Sequence, residues 1–81
     1  MRHRWTDDQM LQTLDIVSRY ARGPLRDAAG QALVAQINTD PNNPIAPSAI
    51  GKALQAAENA LKGDSALTSK RLRELAARRK A

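Results

Sequence analysis

The sequence predicts an all-α fold, a small bundle of four short helices of helix-turn-helix-like character, and three observations carry that expectation. Apolar residues recur at spacings of three and four, and nowhere do they alternate as in a strand. Gly23-Pro24, the stretch TDPNNPIAP over 39–47 and Gly63 punctuate the chain into helix-length segments. At 81 residues there is room for one domain, and fifteen of those residues are alanine, so its core is thin. A thin core favours marginal stability, dimerisation or docking on a partner.

The first helix is expected over about 6–22. Thr6 is a good N-cap, Gln9 stands three residues on as in a capping box, and Asp7 and Asp8 suit the positive end of the helix dipole. Trp5 and Met10 have the spacing of a hydrophobic staple. Leu11, Leu14, Val17 and Ala21 form the apolar stripe, widened by Met10 and Ile16.

Gly23-Pro24 ends this helix and opens a second, over about 24–38, since proline is tolerated in a first turn. Leu25, Ala28, Ala29, Ala32, Leu33, Gln36 and Ile37 trace one face of it. The short connection implies an antiparallel hairpin. Residues 39–47 hold three of the four prolines and read as a loop with fixed turns.

A third helix is expected over about 47–62, with Ile50, Ala53, Leu54, Ala57 and Leu61 inward and Gly63 as its closing glycine. The fourth runs from Ser65 or Thr68 to Arg79, within a basic C-terminal segment 65–81, and Leu67, Leu72, Leu75 and Ala76 supply its apolar side. The organisation expected is therefore a basic arm over 1–5, a helical domain over 6–69 and that terminal helix.

The net charge of +5 is unevenly placed. Residues 1–4 carry +2, residues 70–81 carry +5, and the middle of the chain carries −2. Such basic ends attract phosphate backbones, acidic protein surfaces or anionic lipid. Lipid fits poorly, because the basic helix has no Trp, Phe or dense Leu face to anchor it. No stretch approaches the roughly eighteen apolar residues of a membrane span. The N-terminus lacks the apolar core of a signal peptide, so a cytoplasmic location is expected.

Catalysis is not expected, and neither is a metal or a cofactor. There is no cysteine, and the single histidine, His3, lies among the first residues. Asp7 and Asp8 are explained by their place after an N-cap, and adjacent helical residues do not face each other. No phosphate-cradling glycine loop occurs.

Two sets of residues point to nucleic acid. Ser48, Lys52, Gln55, Asn59 and Lys62 step by four, three, four and three, so they share one face of the third helix, with only Glu58 intruding. Gln and Asn suit adenine edges, and Lys suits guanine. Lys70, Arg71, Arg73, Arg78, Arg79 and Lys80 surround the end of the fourth helix, more cations than complementing a helix dipole requires. With Arg2 and Arg4 they are candidate phosphate contacts. Trp5 and Tyr20 are the only aromatics, which argues for duplex DNA over stacked single strands.

RWTDDQMLQTLDIV, residues 4–17, resembles the opening of a Myb-type helix-turn-helix repeat at Trp5, Thr6, Asp7, Asp8 and Leu11, without the later tryptophans of such a repeat. PIAPSAIGKALQAAENAL, residues 44–61, is similar to a segment of bacterial helix-turn-helix and winged-helix regulators at Pro47, Ile50, Ala53 and Leu54. That second resemblance implies a turn at Leu54-Gln55-Ala56, with the recognition helix over 57–62 or after Thr68. The bias toward Arg and Ala looks bacterial or phage-like.

The expectation is thus a small DNA-binding protein, a transcriptional or phage or plasmid regulator acting as a dimer. Lys52, Gln55 and Asn59 would read bases, and the basic ends would hold phosphates. The alternative is a protein-interaction module, an inhibitor or adaptor whose basic tail meets an acidic partner and whose Leu67–Leu72–Leu75 line is an anchor.

Overall fold

Each helix, or for the third the 3-10 turn that leads into it, begins where a polar side chain or a proline sets it off. The computed structural model describes residues 2–80: α1 (Asp7–Arg19), α2 (Pro24–Ile37), a 3-10 turn (Pro47–Ala49), α3 (Ile50–Lys62) and α4 (Lys70–Lys80), with no strand among those residues. The fold is a small all-α bundle.

The capping box of α1 is complete. Gln9 donates its backbone N–H to the Thr6 hydroxyl at 3.1 Å, and the Gln9 side chain accepts from the Thr6 N–H at 3.3 Å. The helix stops at Arg19, short of the expected residue 22, because Tyr20 is already extended (φ −123°, ψ 126°). The link then passes through Gly23 at φ 149°, a conformation open to glycine, before Pro24 starts α2.

α2 is rotated about its axis relative to the face expected from its alanines. Arg26, Gly30, Leu33, Val34 and Ile37 are buried, whereas Leu25 is 72% exposed and Ala28 and Ala32 face solvent. Leu33 and Ile37 belong to both faces, so the apolar pattern alone admits either rotation. Two other residues decide it. A Cβ on Gly30 would lie 3.1 Å from Leu54 Cδ1 and 3.3 Å from Ile50 Cγ1, so a residue without a side chain sets the approach of α2 to α3. Arg26, the adjacent member of that face, finds a carboxylate on α3.

The loop after α2 is held by two asparagines used in the same way. Asn38 accepts from the Ile45 N–H at 2.7 Å and donates to the Ile45 carbonyl at 3.0 Å, which drops Ile45 into the core. Asn43 accepts from the Arg4 N–H at 2.8 Å and donates to the Arg4 carbonyl at 2.7 Å. His3 is placed against the Asn43 carbonyl (2.9 Å) and the Gln9 side chain (3.0 Å), with its ring edge-on to Trp5. The N-terminal arm is therefore strapped to the loop, and His3 has a structural task.

Two clusters form the core. Leu33, Val34, Ile37, Ile45, Ile50 and Leu54 join α2 and the loop to α3. Leu14, Ala56, Ala57, Ala60, Leu72, Leu75 and Ala76 join α1, α3 and α4, and Val17 packs against both clusters. α4 is thus part of the domain. Burying each leucine is worth roughly 1.5–3 kcal/mol, so Leu72 and Leu75 are its principal attachment.

α3 runs as unbroken helix through Leu54, Gln55 and Ala56, where a turn was one expectation, and its first expected turn, 47–49, is 3-10 in form. Gly63 at φ 81° closes it, with Asp64 donating to the Asn59 carbonyl at 2.9 Å. α4 starts at Lys70, later than Ser65 or Thr68, because Ser69 is the residue whose hydroxyl accepts the Leu72 N–H (3.1 Å).

Candidate nucleic-acid interface

The polar face of α3 holds together as a sequence pattern but not as a free surface. Ser48 and Lys52 are exposed. Gln55 is half-buried: it accepts from Arg22 at 2.7 Å and donates to Glu58 at 3.1 Å and to Asn59 at 2.9 Å. Asn59 in turn donates to the Ala66 carbonyl at 2.9 Å, tying the α3–α4 link to the helix. Lys62 stands 3.8 Å from Glu58. The two amides suited to adenine are thus engaged within the fold.

Glu58, the acid that interrupts that face, is the hub of a network that the residue spacing did not disclose. Arg22, in the α1–α2 link, donates to it at 2.9 Å, and Arg26 of α2 at 3.2 Å. The Arg26 side chain is only 7% exposed and that of Glu58 19%, so the pair is largely shielded from water. The hydrogen bonds from Arg22 and then Arg26 hold the Glu58 carboxyl down at about 2, against its ordinary 4.5. The signal available in the sequence was Glu58 itself, a lone carboxylate on a face of amides and lysines.

The basic residues of α4 divide into two groups. Arg71 makes a two-pronged contact with Asp7 of α1, at 3.0 and 2.5 Å, and reaches Glu74 at 3.3 Å. Its hydrogen bonds lower the Asp7 carboxyl below the ordinary carboxylate value, and Asp7 in turn raises the Arg71 guanidinium. Arg79 pairs with Asp15 at 2.5 Å. These two arginines bind α4 to α1.

Lys70, Arg73 and Arg78 have no carboxylate partner among the described residues, and all three are exposed. Arg73 donates to the Thr68 hydroxyl (3.1 Å) and carbonyl (3.3 Å), which steadies it across the start of the helix. At 100° per residue they lie on the half of α4 turned away from Leu72, Leu75 and Ala76. They span about 12 Å of helix axis. The Lys80 side chain lies outside the described residues.

Arg2 and Arg4 are exposed and likewise unpaired among the described residues, as is Arg19, a cation not expected at a site. No group of three metal-ligating side chains exists among the described residues, and no helix is long and apolar enough to cross a membrane. No family model, curated protein or solved structure matches this chain.

Proposed function

We propose that this chain is a small duplex-DNA-binding protein that grips phosphates through the outer half of α4. The observation that carries the reading is the division of the C-terminal cations. Arg71 and Arg79 are spent on α1, and Lys70, Arg73 and Arg78 remain exposed with no acid to satisfy them among the described residues. The one acid of α4, Glu74, is engaged by Arg71. Phosphates are the anions that such an arc of charge around the helix fits when no aromatic surface accompanies it.

Phosphate contacts position a protein on DNA without reading sequence. With Gln55 and Asn59 engaged internally, base contact falls to Ser48 and Lys52, and sequence preference is modest. A regulatory protein of this kind relies on charge and on DNA shape.

Fluorescence anisotropy of a labelled random-sequence duplex tests this with the full chain and a K70Q/R73Q/R78Q variant at several salt concentrations. Truncating α4 is the wrong comparison, because it removes Leu72, Leu75 and Ala76 from the core. Three phosphate contacts correspond to a salt slope of about −2.7 on logarithmic axes, and the variant should lose about that much of the slope. Absence of binding by the wild-type chain at low salt would overturn the reading.

A further inference from the structure

An apolar groove lies between the N-terminal arm and the starts of α1, α3 and α4. Trp5, Met10, Ala53, Ala56, Leu67 and Leu72 form most of its walls, and its volume is about 560 Å³. Ala53 and Ala56 contribute only a methyl group each to the wall they share with Trp5 and Leu72. Thr13, also on the wall, already donates its hydroxyl to the Met10 carbonyl at 2.7 Å, so that polar group asks nothing of an occupant.

Two further features say what belongs in it. Arg2 and Lys52 stand on its rim, both exposed, and among the described residues neither is ion-paired and no acid lines the groove. The second feature is Leu67, which sits at φ 64°, a conformation that glycine adopts freely and leucine only against strain. It is also 69% exposed. The chain thus holds an apolar side chain in the open, at the edge of an apolar hollow, in a backbone conformation that disfavours it. Strain of this kind collects at binding sites, held there by the surrounding structure.

We propose that this groove receives an acidic amphipathic helix from a protein partner. Its apolar side chains would meet Trp5, Met10, Leu67 and Leu72, and its carboxylates would meet Arg2 and Lys52. An apolar groove with a basic rim suits an amphipathic helix laid into it, with anchors at i, i+3 or i+4, and i+7. Charge favours such a partner over a second copy, because two chains of +5 repel. The site lies apart from the α4 cations assigned above to DNA, and it shares Lys52 with the base contact proposed there.

The experiment is a selection of random 16-residue peptides displayed on phage, with the full chain as bait. Enriched peptides are then titrated while Trp5 fluorescence and amide chemical shifts are followed. The expected peptides are acidic with apolar residues at helical spacing, and they shift the resonances of Trp5, Met10, Ala53, Ala56 and Leu67. R2E/K52E should raise Kd at least tenfold, and K70Q/R73Q/R78Q should leave it within twofold. L67G relieves the backbone rather than unfolding the chain, and should weaken the peptide several-fold with the circular dichroism unchanged. The proposal fails if nothing is enriched, if the enriched peptides are basic or lack the apolar spacing, or if their shifts map away from the groove. It fails equally if sedimentation shows that a second copy fills this face.

Discussion

Asn59 makes two hydrogen bonds with one side chain, accepting from Gln55 and donating to the Ala66 carbonyl seven residues on. Each such bond contributes about 0.5–1.5 kcal/mol net. Asn59→Ala should therefore lower stability by about 1–2 kcal/mol in urea denaturation, since it also leaves a carbonyl and an amide to find water. Duplex affinity should stay within twofold. A tenfold loss of affinity at unchanged stability would instead make Asn59 a base-reading residue. The two roles were indistinguishable in the sequence, where Ser48, Lys52, Gln55 and Asn59 have the spacing and residue types of either. What separates them is the path of the link after Gly63, which brings Ala66 back over α3. No residue pattern records that path.

A helix is placed by its smallest residues as much as by its largest, and the two inner glycines of α2 and α3 show opposite sides of this. Gly51 lies in the first turn of α3, and a Cβ there would meet nothing within 4 Å. Gly51→Ala should raise stability by up to about 1 kcal/mol, through helix propensity and a less disordered unfolded chain. Gly30→Ala has the same propensity gain, but its Cβ presses on Leu54 and Ile50, both buried. Overpacking costs about 1–3 kcal/mol, so Gly30→Ala should be neutral to destabilising by about 2 kcal/mol. Thermal melts of the two variants check the pair, and a stabilised G30A would mean that α2 is free to move off α3. The existence and order of the four helices were legible because Thr6, Gly23-Pro24, the prolines of 39–47 and Gly63 act locally. The rotation of α2 was not, because Leu33 and Ile37 serve either face. Gly30 and the Arg26–Glu58 pair choose between them only once α3 is in place.

Across the whole molecule, three carboxylates meet cations on other elements: Asp7 and Asp15 tie α1 to α4, and Glu58 ties α3 to α2 and the α1–α2 link. Of the seven acids in the middle of the chain these three supply ties, and Asp8, Asp27, Asp40 and Asp64 stay exposed without an ion pair among the described residues. Stability should therefore depend on pH in a definite direction. A carboxyl held down in the folded state contributes stability that is fully present above its unfolded value and is lost as pH falls through its folded value. For Glu58 those values are 4.5 and about 2, and Asp7, lowered by Arg71, acts in the same sense. The melting temperature should be level above about pH 5 and fall steadily toward pH 2. Glu58→Gln should melt lower at neutral pH, because Arg26 is left buried without its countercharge, and its curve should be flatter between pH 4.5 and 2. The Asp7 share of the slope should remain in that variant and disappear in D7N/E58Q. If wild type and E58Q fell in parallel through this range, Glu58 would not be bound to Arg22 and Arg26 in solution. The rotation of α2 that brings Arg26 inward would then lack its electrostatic cause.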